Sequence, residues 1–454
     1  MKICVNSQTP FVRFKLGYSD LLEKYGSLSD PLDLSELEEK VDYEFSPGGV
    51  TSMVYPSMKR MLDDGFLTGV RWIALGVNYP PRVTAERIQI SHIEIEEKLM
   101  KNYTSFKEEL WAEIHGIRPG KFTQEGYSAY ASYNWQNAEL MYKYMDETDI
   151  FYVQDFQLLM TGPIIGPPAP ALLRWHIPFI PEKMGNFARR IVLRNMETFD
   201  GIIVSTRRDL EGLIKSQFRG KAYQLYPYVD PRHWTNHSDS KEMQELSDRI
   251  NLKKDEKLVL LVARMDKIKS QDVAIKAFSL ASRNRKLKLL LIGNGSFSSS
   301  GKGGLGHSKG ALWRSELERL AKDLKIHERV IFLGHASPGE LRAAYKLASV
   351  VMLTSELEGF GITVLEGWVN RKPVVVSTGA GSSELVINDS NGYTFPSGDY
   401  TAAAEALLKA LGPNSEKLGD NGYETSRQCH IKLSLQREKS ILTEVSSTFK
   451  LRKA

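Results

Sequence analysis

The sequence predicts an α/β protein built from two doubly wound domains in series. Three observations lead there. The chain has 454 residues, more than one hydrophobic core normally organises. Short apolar runs alternate with helical patterns, as parallel strands with crossover helices require. The alternation also comes in two series, separated by the long polar stretch "DPRHWTNHSDSKEMQELSDRINLKKDEK".

The first series opens with "KICVNS" at 2–7, a strand ending in polar residues, followed by "TPFVRFK" and an acidic, helix-like stretch near 28–44. In "FSPGGVTSMVYPSMKRMLDDG", Pro47, Gly48 and Gly49 precede apolar residues at helical spacing. This reads as a glycine loop opening a helix, with amides available to an anion. "DIFYVQD" (149–155), "ALLRWHIP" (171–178) and "FDGIIVST" (199–206) are the next strands. Ligands of such sheets bind beyond the strand carboxyl ends, which places Asp155, His176 and Ser205 on one rim.

The polar stretch reads as a linker and a surface helix. The second series then runs through "KLVLLVAR" (257–264), "KLKLLLIGNG" (286–295), "RVIFLGH" (329–335), "ASVVMLTS" (348–355) and "PVVVSTGAG" (373–381), each ending in Gly, Ser or a charge. "GSFSSSGKGGLGHSKG" at 295–310 reads as a surface loop. Two such domains leave a cleft between them, the usual place for a ligand.

Composition excludes several classes. With 42% hydrophobic and 25% charged residues the chain is an ordinary globular protein, and a net charge of +5, small for this size, reads as local phosphate-binding sites or a generally basic surface rather than a nucleic-acid footprint. Cys4 and Cys429 are the only cysteines, so no disulfide framework or metal knuckle is encoded, which suits a reducing cytosol. No apolar run is long enough to span a membrane, and the start lacks a signal-peptide pattern. There is no D-x-D, no Walker A and no G-x-S-x-G, and "IGNGS" is not a dinucleotide fingerprint. No metal site and no cofactor are expected.

The residues that can carry chemistry sit at the strand ends. In "ARMDKIKSQD", Arg264 closes a strand and Lys269 precedes a helix; both can reach one diphosphate, or both can be solvated surface cations. Asp266, Lys267 and Asp272 beside them read as surface. In "SELEGFGITVLEGW", Glu358 sits on a loop and Glu366 about one and a half turns into a helix, with Gly359 and Gly361 letting backbone amides come close between them. Two such carboxylates can accept from vicinal hydroxyls at opposite ends of one ligand, a sugar and a ribose, unless Glu366 is only an exposed helix charge. His176 in "RWHIPF" and Asp155 in "VQDFQLL" are catalytic candidates or packing residues. Tyr127, Tyr130, Tyr133 and Trp135 are at helical spacing, a core pattern with one member available for sugar stacking.

In this order, Arg264, Lys269, "LLLIGNGS", "IFLG", "SELEGFGITVLEGW" and "PVVVSTGAGSSELV", the motifs closely resemble the carboxyl-terminal donor domain of retaining glycosyltransferases of family 4 type over about residues 255–400. The resemblance implies the GT-B fold, two Rossmann-like domains facing a central cleft: an acceptor domain over 1–232, a nucleotide-sugar domain over 233–424, and a terminal helix over 425–454 returning to the first. By the same resemblance Arg264 and Lys269 bind the donor diphosphate, Glu358 and the Gly361 amide hold the donor hexose, and Glu366 binds the ribose. "FSPGGVTSMVYPSMK", the segment from "YSAYASYNWQNAEL" to "FYVQDFQLL", and "RWHIPFIP" are similar to trehalose-6-phosphate synthases. That similarity gives Asp155 the acceptor hydroxyls, His176 the donor sugar at the reacting centre, and the Gly48 and Gly49 amides the donor phosphate.

The chain also departs from those synthases. Gln154 and Gln157 stand where two histidines usually flank the aspartate, and Glu358 stands where Asp is common, matching the broader group with sucrose-phosphate synthases and trehalose glycosyltransferring synthases. The usual Asn-Arg after the first strand is replaced by "NSQTPFVRFK", where Arg13 or Lys15 would supply the cation for an acceptor phosphate. The implied reaction moves glucose from UDP-, ADP- or GDP-glucose to glucose 6-phosphate, or to free glucose, by a front-face mechanism in which the leaving diphosphate helps deprotonate the acceptor hydroxyl. None of Arg264, Lys269, Glu358 or Glu366 is missing, as a binding protein without turnover would require. The donor base, read by backbone near Gly334 and His335, and a homo-oligomeric state stay open.

Overall fold

The computed structural model describes residues 1–45, 50–166, 168–234, 239–294 and 305–453. They form two compact units, Met1–Leu225 with Leu435–Ala454, and Tyr226–Ser434. The divisions therefore fall before 232 and after 424. Tyr226 and Val229 are buried in the core of the second unit, and Val229 exchanges backbone hydrogen bonds with Cys429 and Ile431. At the other end helix Ser415–Ser426 buries Leu418 in that unit. The expected terminal helix begins only at Ile431 and runs to Lys453.

The first unit holds β1 (Lys2–Asn6), β2 (Val12–Phe14), β3 (Leu32–Asp33), β4 (Tyr43–Phe45), β5 (Gly69–Leu75), β6 (Arg82–Ala85), β7 (Ile88–Ile93), β8 (Ile150–Gln154), β9 (Ala171–Trp175), β10 (Gly201–Val204) and β11 (Ala222–Gln224). Nine of these make one sheet in the order β11-β10-β9-β8-β1-β5-β7-β6-β3, while β2 and β4 pair as a separate antiparallel hairpin. All pairings in the nine-stranded sheet are parallel except β6 with β7. The central strands β8, β9 and β10 are buried along their whole length, which explains their near-continuous apolar runs.

The stretch near 28–44 is not helical. It contains β3, a single 3₁₀ turn at Leu34–Glu36 and the start of β4. Its buried residues Leu32, Leu34, Leu37, Asp42 and Tyr43 do not follow a helical period, and Asp33 caps the turn by accepting from the Ser35 amide at 2.9 Å. The helix in this region lies earlier, at Tyr18–Tyr25. The helix expected after the glycine loop runs Thr51–Asp63; Gly48 and Gly49 themselves lie outside the described residues.

Two long helices, Glu97–Ile114 and Gln124–Lys143, cover one face of this sheet. Tyr103, Phe106, Tyr130 and Tyr133 pack there in one aromatic cluster. Tyr130 and Tyr133 are thus core, whereas Tyr127 and Trp135 on the same helix are exposed. The last helix is tied to the unit by a buried ion pair, with Arg174 Nη1 3.0 Å from Glu438 Oε1 and both side chains 2% exposed. Tyr152 and Ser57 donate their hydroxyls to the same carboxylate, each at 2.7 Å.

The second unit contains β12 (Lys257–Val262), β13 (Leu287–Ile292), β14 (Val330–Gly334), β15 (Ala348–Leu353), β16 (Val374–Ser377) and β17 (Gly392–Phe395). They form a parallel sheet ordered β14-β13-β12-β15-β16-β17. The expected surface helix runs Asp239–Arg249 and buries Leu246. Of the expected loop at 295–310, residues 295–304 lie outside the described residues. From Leu305 the chain is already in a helix that reaches Asp323. Among the described residues no helix is long and apolar enough to cross a membrane.

Candidate functional site

In the first unit the candidate residues stand at the carboxyl ends of β8 and β9. Parallel pairing sets Gln154 opposite Arg174, so Asp155 and His176 follow on neighbouring strand ends. The backbone of Asp155 has φ 67° and ψ 177°, a region that only glycine occupies without strain, at about 1–3 kcal/mol for other residues. Three hydrogen bonds hold it there. Its amide donates to the Arg174 carbonyl at 2.8 Å, its carbonyl accepts from the Leu158 amide at 3.4 Å, and its carboxylate accepts from the His176 amide at 3.4 Å. Burial pushes the carboxyl up to about 7, against the Phe156 and His176 amides that favour the charged form.

His176 is half-buried, and its Nε2 lies 3.0 Å from Gln154 Oε1. Burial, and then the Arg174 charge, hold its pKa well below the ordinary histidine value, so the ring is neutral at pH 7. Ser205, on the next strand end, is buried with its hydroxyl donating to the Trp175 carbonyl at 3.5 Å.

The cations suggested for an acceptor phosphate lie on the hairpin. Arg13 faces Glu44 across the β2–β4 ladder. Lys15 Nζ lies 3.6 Å from Glu44 Oε2 and donates to the Lys40 carbonyl at 2.5 Å. Lys15 is therefore already answered by a carboxylate.

In the second unit Arg264 and Lys269 stand after β12, and the loop 354–362 follows β15, the adjacent strand. The two segments are stitched together: the Thr354 hydroxyl donates to the Lys269 carbonyl at 3.0 Å and the Glu356 amide to the Ile268 carbonyl at 2.8 Å. Lys269 and Glu358 form an ion pair with side chains 13% and 22% exposed. Burial would raise the Glu358 carboxyl, yet the Lys269 ammonium, the Arg264 charge and the Ser355 hydroxyl together hold it below the ordinary range. Arg264 is exposed, 4.0 Å from Asp266, and Asp266 also caps the turn by accepting from the Ile268 amide at 3.2 Å.

Gly361 has φ 92°, and a Cβ there would press into Leu353. Only glycine gives this turn. The Glu358 backbone is clamped by the Gly379 carbonyl and the Gly381 amide, both at 3.1 Å. Glu366 lies in the first turn of helix Thr363–Val369, earlier than one and a half turns in. Its carboxylate accepts from the buried Tyr345 hydroxyl at 2.5 Å. Burial raises it to about 7, opposed by that hydrogen bond.

Sequence reasoning missed several supporting residues. Tyr345 holds Glu366, and Gln271 donates to the Arg264 carbonyl at 2.6 Å while accepting from Trp313 at 2.9 Å. The sequence marks Gln154 only by its departure from the trehalose-6-phosphate synthase pattern. A neutral donor or acceptor inside an apolar segment was the one available signal. Among the described residues no group of three or more His, Cys, Asp or Glu is placed to hold a metal ion.

Residues 242–425 match the family model described as glycosyl transferases group 1. The N-acetyl-alpha-D-glucosaminyl L-malate synthase of Bacillus anthracis is 25% identical over 205 residues, 45% of this chain and 47% of its own length. The D-inositol 3-phosphate glycosyltransferase of Xylanimonas cellulosilytica is 26% identical over 222 residues, 48% of this chain and 50% of its own. The chain thus spans about half the length of these curated relatives. Among solved structures, the alpha,alpha-trehalose 6-phosphate synthase of Burkholderia multivorans superposes with a TM-score of 0.76 at 17% identity, covering 100% of this chain and 98% of that one. The Anabaena protein HepE, solved with UDP and glucose, gives 0.66 at 17% identity over 98% of this chain and 100% of its own. The chain has the GT-B glycosyltransferase fold, and its second unit carries the segment that matches the group 1 glycosyl transferases.

Proposed function

We propose that the protein is a retaining glucosyltransferase that moves glucose from a nucleoside diphosphate glucose to glucose 6-phosphate, giving trehalose 6-phosphate. The observation that carries the reading is Asp155. A buried carboxyl kept in a glycine-only backbone conformation, beside a neutral histidine at a strand carboxyl end, is costly for folding and useful for binding hydroxyls. Asp155 accepts from acceptor hydroxyls and His176 contacts the transferred sugar. In the second unit Arg264 and Lys269 meet the diphosphate, Glu358 and the Gly361 amide the glucose, and Glu366 the ribose.

In the reaction the bond from glucose C1 to the diphosphate oxygen breaks, and a bond from C1 to the acceptor oxygen forms on the same face. The acceptor proton passes to the leaving phosphate oxygen. Cations placed where negative charge develops lower that barrier, and they do so without a metal or cofactor. The resemblance of the acceptor half and the fold of the trehalose-6-phosphate synthases support glucose 6-phosphate as acceptor.

A second reading, transfer to free glucose, is favoured by one observation. Lys15, one of the two cations on offer for an acceptor phosphate, is engaged by Glu44 and the Lys40 carbonyl. Both readings are tested by incubating the protein with UDP-, ADP- and GDP-glucose against glucose and glucose 6-phosphate and identifying products by mass. Transfer to glucose 6-phosphate supports the first reading and transfer to glucose alone the second. Consumption of donor with neither acceptor defeats both.

A further inference from the structure

Below His176 lies a short chain of hydrogen bonds whose directions are fixed by chemistry. The Tyr152 backbone carbonyl can only accept. Gln154 therefore turns its amide nitrogen to it, at 3.2 Å. The reversed amide would set two oxygens against each other. With the nitrogen committed, Gln154 Oε1 faces His176 Nε2 at 3.0 Å, and that oxygen also only accepts. The proton of the neutral imidazole must then sit on Nε2, which leaves Nδ1 with its lone pair.

We infer that Gln154 is a positioning residue that locks His176 in the Nε2–H tautomer, so that Nδ1 accepts a hydrogen bond from a hydroxyl of the bound sugar. This deepens the transfer reading and rests on it for the identity of the ligand. The anchoring is strong because Gln154 is 1% exposed, lies opposite Arg174 in the β8–β9 ladder, and hangs from backbone rather than from a mobile side chain. A histidine at position 154 could present either a donor or an acceptor to His176. A glutamine amide tied to Tyr152 presents only an acceptor, so the ring is committed to receiving a hydroxyl proton rather than giving one.

The test is the ring nitrogen spectrum of uniformly ¹⁵N-labelled protein at pH 7, without substrate. The signal of His176, one of nine histidines, is assigned by its loss in His176→Asn. The expected result is a protonated, pyrrole-like Nε2 and an unprotonated Nδ1. Gln154→Leu removes the acceptor and gives a mixture of tautomers, with kcat/KM for the donor sugar falling about tenfold, the size of one uncharged hydrogen bond. An Nδ1–H ring in the wild-type protein overturns the inference, and so does an unchanged tautomer in Gln154→Leu. Should that variant not fold, the wild-type spectrum alone decides. Because the spectrum needs no substrate, a failed transfer assay would defeat the proposed reaction without touching this result, and an Nδ1–H ring would defeat the inference without touching the reaction.

Discussion

Replacing Asp155 by glycine and by alanine separates backbone strain from carboxylate function. Both changes remove the carboxyl, its desolvation and its 3.4 Å contact with the His176 amide, so these cancel in the comparison. What remains is the backbone at φ 67° and ψ 177°. Alanine must adopt it at the upper end of about 1–3 kcal/mol, since the region is essentially glycine's alone. Glycine escapes that cost but loses roughly 0.5–1 kcal/mol more through chain entropy. Asp155→Gly should therefore be more stable than Asp155→Ala by roughly 2 kcal/mol, the upper-end strain less the entropy cost of glycine. At an unstrained site the order is reversed, which makes the sign diagnostic. Urea unfolding followed by tryptophan fluorescence measures it, with Trp72 and Trp175 reporting from the core of the first unit. Both variants should have lost transfer activity. An alanine variant as stable as the glycine one would refute the strain argument, and a glycine variant with near-normal turnover would refute the role of the carboxylate.

The same carboxyl gives a pH prediction. With its folded pKa raised to about 7, Asp155 keeps a proton that the unfolded chain releases near 3.9. Stability therefore falls as pH rises between these values, by about 4 kcal/mol in all, and Asp155→Asn should flatten this slope in urea unfolding from pH 4 to 7. Lys269→Met should weaken donor affinity about 10- to 150-fold in calorimetric titration, the loss of one charge-assisted hydrogen bond. It also frees the Glu358 carboxyl to rise, because Lys269 is the main group holding it down. In the wild type the Glu358 pair stabilises the fold above the unfolded value near 4.3 and that contribution disappears as pH falls through the lower folded value. Glu438→Ala should cost about 3–5 kcal/mol by taking the buried carboxylate from Arg174. The double variant Arg174→Met, Glu438→Leu should regain most of that loss; a double variant no better than the single one would contradict the account.

The strands of the second unit were legible because parallel strands buried on both faces carry continuous apolar runs, as Leu258–Val262 in β12 and Leu289–Ile292 in β13 do. β5 and β7 were not. Arg71 interrupts the first, and its guanidinium lies over the Tyr144 ring at 3.5 Å while pairing with Glu147. Ser91 and His92 interrupt the second, where His92 Nδ1 is satisfied by the Pro80 carbonyl at 2.6 Å. Polar residues met by local partners do not show as strand in a pattern of hydrophobicity. At the site, Arg264, Lys269, Glu358 and Glu366 stood out through their order along the chain. The pairs Gln154–His176 and Tyr345–Glu366 did not, because strand register and helix packing, not spacing, bring them together. The positive φ of Asp155 left no trace in the sequence at all, since nothing marks a non-glycine residue for that conformation.

The central claim, retaining transfer of glucose to glucose 6-phosphate, is tested most directly by following the reaction by proton NMR with the donor nucleotide the protein accepts. The account predicts that the donor anomeric signal is replaced by the two small-coupling anomeric signals of an α,α-1,1-linked phosphorylated disaccharide, at a rate that falls in Lys269→Met. Formation of a β-linked product, or no loss of any of the three donors in the presence of glucose 6-phosphate, would contradict it.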